Sequence, residues 1–310
     1  MNYLCFTTCD CQSGRAAEYE RLLKSIRDNV EGTDLKVTHV VLFQRAGPDA
    51  SDAFFVESRE GASVDRHFLH IDDLISLSAA RNLMLDYASG RGLVEQADII
   101  CFPDDDAWYP DGLLEIVAKH FESDNKLAVL ASDYGEDPVK AQYDAFCSTA
   151  SLVRASVYMS SNTIFVSKLA ASKAGLHFDE RLGLGARYNG GEDLDFGMRA
   201  LLLSNGKLVL CKDQLVGHRN RQPWVKIKYY IGSLAAISRA SRYSARGAAL
   251  LARKVSVGLW WVLTGKMKWA GFAEALLSAG EFMASHRNVM HSIKKNPARL
   301  VRVGRGDETL

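Results

Sequence analysis

Three consecutive carboxylates, Asp104-Asp105-Asp106, follow directly on the apolar stretch Ala97–Phe102 and precede Ala107-Trp108-Tyr109-Pro110. Neighbouring carboxylates repel one another, and at the end of a buried strand they are costly unless a cation neutralises them. Oxygen ligation suits Mg²⁺ or Mn²⁺, which take one or two carboxylates and complete their shell with substrate phosphates and water. The bland alternative is an acidic cluster placed before a helix at Pro110. A second acidic group, Glu192-Asp193-Leu194-Asp195, follows Gly190-Gly191. Leu194, Met198, Leu201 and Leu202 share one helical face, which leaves the acids around the helix start. There a carboxylate can act as general base on an acceptor hydroxyl, or Asp193 can merely cap the helix. The two glycines let the backbone approach a ligand closely. A third element, Val216-Gly217-His218-Arg219-Asn220-Arg221, follows the last strand-like run. Beside a metal and a diphosphate, His218 can ligate the ion, and Arg219 or Arg221 can neutralise phosphate.

These groups need elements to position them. Tyr3–Thr7 and Lys36–Phe43 read as strands with a helical Ala16–Asp28 between, and Phe68–Ile71 reads as a short strand. Leu77–Ala88 reads as a helix, Ala97–Phe102 as a strand and Pro110–Phe121 as a helix. Leu127–Ser132, Ser156–Met159 and Asn162–Val166 look strand-like, the helix Asp193–Leu203 follows, and Lys207–Cys211 closes the series. Alternation of this kind predicts an α/β sheet of mostly parallel strands with helices on both faces. Ligands then bind at the carboxyl ends of strands, where Asp104–Asp106 stand.

From Trp224 onward the pattern is helical only, over Lys226–Arg242, Ala248–Leu263 and Ala270–His286. The charge also changes. Residues 1–218 carry 21 basic and 33 acidic side chains, whereas 219–310 carry 17 and 4, so the net charge of +1 averages two opposed halves. The apolar run Val255–Leu263, which holds Trp260 and Trp261, is far shorter than the roughly 20 residues that span a bilayer. Flanked by Arg253, Lys254, Lys266 and Lys268, it suits the interface of an anionic membrane; the alternative is a helix packed with its tryptophans in the core. With 47% apolar and 24% charged residues, the 310-residue chain is neither disordered nor of low complexity. The opening residues show no secretory signal, which predicts a cytoplasmic protein, peripheral on the inner face of the cell membrane. Six scattered cysteines do not make a disulfide framework, and Cys5, Cys9 and Cys11 lack partner ligands at zinc spacing.

Ile99–Pro110, the segment Phe178-Asp179-Glu180-Arg181-Leu182-Gly183-Leu184-Gly185 leading into Gly191-Glu192-Asp193, and Leu77-Ser78-Ala79-Ala80-Arg81-Asn82 together resemble the family 2 glycosyltransferases with a GT-A fold. The resemblance covers residues 1–220. It implies a Rossmann-like GT-A catalytic domain over 1–220, and the charge and helical pattern set 221–310 apart as a basic helical region. It also implies inverting transfer from a nucleotide-diphosphate sugar to a hydroxyl, without a covalent enzyme intermediate. By position, Asp106 would hold Mn²⁺ or Mg²⁺, with His218 as a further ligand, and Asp104 would hold the same metal or the donor ribose. Asp105, Arg81 and Asn82 would join Asp104 in binding the nucleotide, and Asp193 would be the base. The family's acidic reader of uridine at the end of the second strand is absent. Here stands Gln44-Arg45, which can read another base unless Asp10 or Asp72 takes that task. The Gln-x-x-Arg-Trp of processive synthases is absent too, since Gln222-Pro223-Trp224 does not match it.

The combined expectation is a transferase that adds one sugar to a glycan or lipid-linked glycan in cell-surface polysaccharide synthesis. A sugar nucleotidyltransferase is disfavoured because Cys9–Arg15 poorly matches a glycine-rich basic loop. A catalytically dead scaffold is disfavoured because both acidic clusters are complete. Nucleic-acid binding would interleave aromatic with basic residues, which Val255–Leu263 does not do.

Overall fold

Strand β1, Asn2–Asp10, is buried continuously from Tyr3 to Phe6, as expected of a parallel strand covered on both faces. Its alternate residues serve two different cores. Leu4 and Phe6 join Leu42, Met84, Phe102, Phe178 and Phe196 on one face, while Tyr3 and Cys5 join Leu22, Ile26, Val41 and Leu114 on the other. The computed structural model that shows this describes residues 1–46, 63–139, 146–147, 152–220, 224–284 and 302–304.

After β1 come α1 (Ala16–Val30), β2 (Lys36–Gln44), β3 (Val64–Ile71), α2 (Leu77–Gly90), α3 (Leu93–Gln96), β4 (Ile99–Cys101) and α4 (Leu113–Ser123). Then follow β5 (Leu127–Gly135), β6 (Phe146–Cys147), α5 (Leu152–Tyr158), a 3₁₀ turn Ser161–Thr163, β7 (Ile164–Ser167), α6 (Lys168–Lys173), α7 (Glu192–Ser204) and β8 (Lys207–Gly217). The rest is α8 (Val225–Lys228), α9 (Tyr230–Ser241), α10 (Ala245–Leu263), α11 (Trp269–Ala284) and β9 (Arg302–Gly304). The sheet runs β6-β8-β5-β7-β4-β1-β2-β3-β9. β4, β1, β2 and β3 are mutually parallel, β5 is parallel to β8, and β7 lies antiparallel between β4 and β5. This mostly parallel sheet with helices on both faces is the α/β architecture expected.

Three expectations are corrected. Ser156–Met159 lies mainly in helix α5, which packs on β5 and β8; tertiary packing overrides the strand preference of so short a window. Lys226–Arg242 is two helices, because Tyr229 leaves helical geometry at φ −99°, ψ 15°. The last region is not wholly helical: β9 returns to pair antiparallel with β3, with Leu69 opposite Val303. The end of the predicted helix Ala270–His286 and residues Arg221–Pro223 lie outside the described residues.

The helices after β8 share the main core. Ala235, Ala236, Ile237, Ala240, Leu250 and Phe282 belong to the same cluster as Phe6 and Phe196. A smaller cluster of Tyr230, Leu234, Val262, Phe272, Ala275 and Ala279 binds α9, α10 and α11 to one another.

Candidate active site

The acidic triplet follows β4 at the sheet's carboxyl edge, and β8 runs alongside it. Trp108 and Gly217 exchange two backbone hydrogen bonds of 3.0 and 2.9 Å. Gly217 tolerates this only because it lacks a side chain, since a Cβ there would lie 2.0 Å from the Trp108 ring. The next residue, His218, is thereby carried to the triplet, with Nε2 3.0 Å from Asp106 Oδ1. Arg219 reaches Asp106 Oδ2 at 2.7 Å. Burial would raise the Asp106 pKa, but the hydrogen bond and charge of His218, with Arg219 and Arg15, hold it at about 2. Burial would lower that of His218, and Asp106 outweighs it, so the imidazole is raised.

Asp104 is fixed by Asn162 at the 3₁₀ turn before β7. Its backbone N donates to Asn162 Oδ1 at 2.7 Å, and Asn162 Nδ2 donates to its Oδ2 at 2.9 Å. Asp105 turns the other way and pairs with Arg15 at 2.8 Å; burial still raises it to about 6. One ligand atom each from Asp104, Asp106 and His218 lie within 4.8 Å of one another, the group among the described residues with spacing for a cation. Two carboxylates and an imidazole suit a divalent cation. Cys5, Cys9 and Cys11 form no such group; Cys5 Sγ instead lies 3.2 Å from Cys101 Sγ across β1 and β4.

The second acidic cluster faces the first through one side chain. Arg81, on α2 and 2% exposed, reaches Asp193 Oδ1 at 2.5 Å, Asp104 Oδ1 at 3.4 Å and Glu192 Oε1 at 3.8 Å. A buried guanidinium is tolerable only with such partners. Asp193 stands in the first turn of α7, where the positive helix end favours carboxylates. Glu192 beside it is buried, its Oε2 has no hydrogen-bond partner, and burial, then Asp193, raises it to about 8. Asn82 uses both ends of its amide on the backbone of Phe178, at 3.0 and 2.7 Å, and so holds the segment that leads to α7. Asp195 turns inward, accepting from Arg199 at 2.9 Å and from Arg239 of α9 at 2.8 Å.

The Gly190-Gly191 turn approaches the chain's own helix rather than a ligand. Gly191, at φ +86°, leaves 2.3 Å between the place of a Cβ and the Gly232 carbonyl of α9, and Tyr229 packs over Gly190. Tyr229, Arg15 and Arg239 are site neighbours that motif reading missed; none stands beside an acidic motif in sequence. Arg45 Nε donates to Asp10 Oδ1 at 2.8 Å, which ties the ends of β1 and β2 together, while Gln44 Oε1 accepts from the Ile75 backbone at 2.9 Å.

Residues 14–146 match the family described as glycosyl transferase family 2. The chain carries a family 2 glycosyltransferase domain. No curated protein matches this glycosyltransferase, but solved structures share its fold. S. aureus TarS 1–349 superposes with a TM-score of 0.63 at 16% identity, over 92% of this chain and 81% of that one. The same protein in complex with UDP-GlcNAc gives 0.61 at 16% identity, over 91% and 80%. The mannosyltransferase PcManGT from Pyrobaculum calidifontis, in complex with GDP-Man and Mn²⁺, gives 0.52 at 12% identity, over 92% and 88%. The fold is GT-A, with helices after the sheet.

Proposed function

We propose that this glycosyltransferase performs metal-dependent, inverting transfer of a sugar from a nucleotide-diphosphate donor to a hydroxyl of a glycan or lipid-linked glycan acceptor. The setting is cell-surface polysaccharide synthesis at the inner face of the membrane. The observation that carries this reading is Arg81, which joins the cation-spaced group to the candidate base in one site. Structures of the same fold hold UDP-GlcNAc, or GDP-Man with Mn²⁺.

Asp104, Asp106 and His218 would hold Mn²⁺ or Mg²⁺, which when bound stabilises negative charge on a leaving diphosphate. Arg219, which neutralises Asp106 in the free protein, stands beside that position and supplies a guanidinium for a phosphate. Asp193 accepts the proton of the attacking hydroxyl, and Arg81 fixes its carboxylate. Asp105 acts through Arg15 and Asn82 through Phe178, so both position the site. Base selection falls to the Asp10, Gln44 and Arg45 group.

Thermal unfolding with UDP or GDP, with and without Mn²⁺, tests this assignment. One nucleotide is expected to raise the melting temperature of the wild type only with Mn²⁺, and Asp106→Ala removes the increment. Asp193→Asn keeps the increment but lowers donor turnover by about 10²–10⁴. Nucleotide stabilisation indifferent to Mn²⁺, or full turnover by Asp193→Asn, overturns the reading.

A further inference from the structure

The α10–α11 hairpin presents an outer face that nothing in the described chain covers. Trp261 turns inward against Tyr230, with ring centroids 5.5 Å apart, and Val262 and Phe272 are buried. Trp260 and Leu263 in the last turn of α10, and Trp269 and Leu277 on α11, are instead 62%, 68%, 62% and 76% exposed. Leu259, Leu276 and Met283 extend the surface. Between the helices, the turn exposes Lys266 and Lys268, and Arg246 and Arg253 are exposed along α10. Glu274 is the one exposed acid on the two helices. Neither helix is long and apolar enough to cross a membrane among the described residues.

We propose that this face docks on an anionic lipid bilayer, with Trp260, Leu263, Trp269 and Leu277 inserted at headgroup depth and Lys266 and Lys268 on lipid phosphates. Apolar side chains at the centre of a basic surface complement a lipid leaflet, which offers negative headgroups over hydrocarbon. A second copy of the same basic surface would instead meet like charge. The hairpin is also tied to the segment that leads into α7, and α9 to α7 itself. Glu281 of α11 accepts from Tyr188 at 2.6 Å and from Arg181 at 3.2 Å, and Arg239 of α9 holds Asp195 of α7. Docking therefore fixes how the cleft faces the leaflet. The proposal deepens the reading of a lipid-linked acceptor, but it is measured without turnover, so either can fail alone.

The test is co-sedimentation of the full chain with vesicles of phosphatidylcholine, with and without phosphatidylglycerol, alongside sedimentation velocity in the absence of lipid. The wild type is expected to bind the anionic vesicles at low salt, with a blue-shifted tryptophan emission, and to release in high salt. Leu277→Glu and Trp260→Glu each weaken binding about tenfold while the circular dichroism stays unchanged. Lys266→Glu with Lys268→Glu weakens it only on anionic vesicles. A wild type that ignores anionic vesicles at low salt overturns the proposal, as does vesicle binding that both apolar substitutions leave unchanged. A lipid-indifferent dimer that Leu277→Glu converts to monomer assigns the face to a second copy instead.

Discussion

Arg81 and Glu192 carry opposite obligations within one buried cluster. Arg81 keeps its charge because Asp193 and Asp104 lie beside it, and their attraction prevails over burial. Glu192 is held protonated, first by burial and then by Asp193, up to about pH 8. Between the ordinary carboxylate range and that value, the folded chain retains a proton that the unfolded chain releases, so stability falls as pH rises through this window. Glu192→Gln lacks that linkage. Its melting temperature should exceed that of the wild type by a margin that grows from about pH 5 to 8 and then levels off. A margin constant across that range would show that Glu192 is ionised in the fold. At this scale the acidic motifs were legible because repulsion between adjacent carboxylates is a property of neighbours in sequence. The pairing of Asp105 with Arg15, and the approach of Arg81 to Glu192, join residues about 90 and 110 positions apart, and only the fold creates them.

The Gly190-Gly191 turn and helix α9 meet backbone to backbone, which makes that crossing the element on which the position of Asp193 depends. Gly191→Ala would incur both the penalty of φ +86° and a collision with Gly232, whereas Gly14→Ala, at φ +74° with open space around it, incurs only the first. Urea unfolding should place Gly191→Ala about 1–3 kcal/mol below Gly14→Ala, with a matching loss of turnover. Equal stabilities would mean that the crossing yields. The glycine pair announced a close approach in sequence, but not which chain segment approaches. Helix spans such as Leu77–Ala88 were readable from their periodicity. The interruption at Tyr229, whose ring packs over Gly190, was not, because the interior of Lys226–Arg242 holds no proline to signal a break.

Across the whole molecule, an ionic network spans the sheet domain and the helices that follow it. Asp179 is held between Arg181 and Arg239, Asp195 between Arg199 and Arg239, and Arg181 with Arg187 on Glu281. Although burial opposes it, the two arginines keep Asp179 well below the usual carboxylate range. Arg239→Leu leaves Asp195 and Asp179 buried with one guanidinium each, and should cost about 3–5 kcal/mol in urea unfolding. A loss below 1 kcal/mol would show that Arg199 and Arg181 suffice. The opposed charges of the two halves were visible in composition, yet Arg239, counted in the basic half, serves the interior. Net charge reports no position.

One further consequence concerns synthesis. The free side of β3 is covered by β9, whose residues leave the ribosome roughly 230 positions after those of β3. At about 5–20 residues per second, that border of the nascent sheet stays uncapped for roughly 10–50 seconds. During that interval its unpaired amides and carbonyls are open to any extended peptide nearby. The growing chain is therefore most in need of a chaperone well after its parallel strands β1 to β4 have formed.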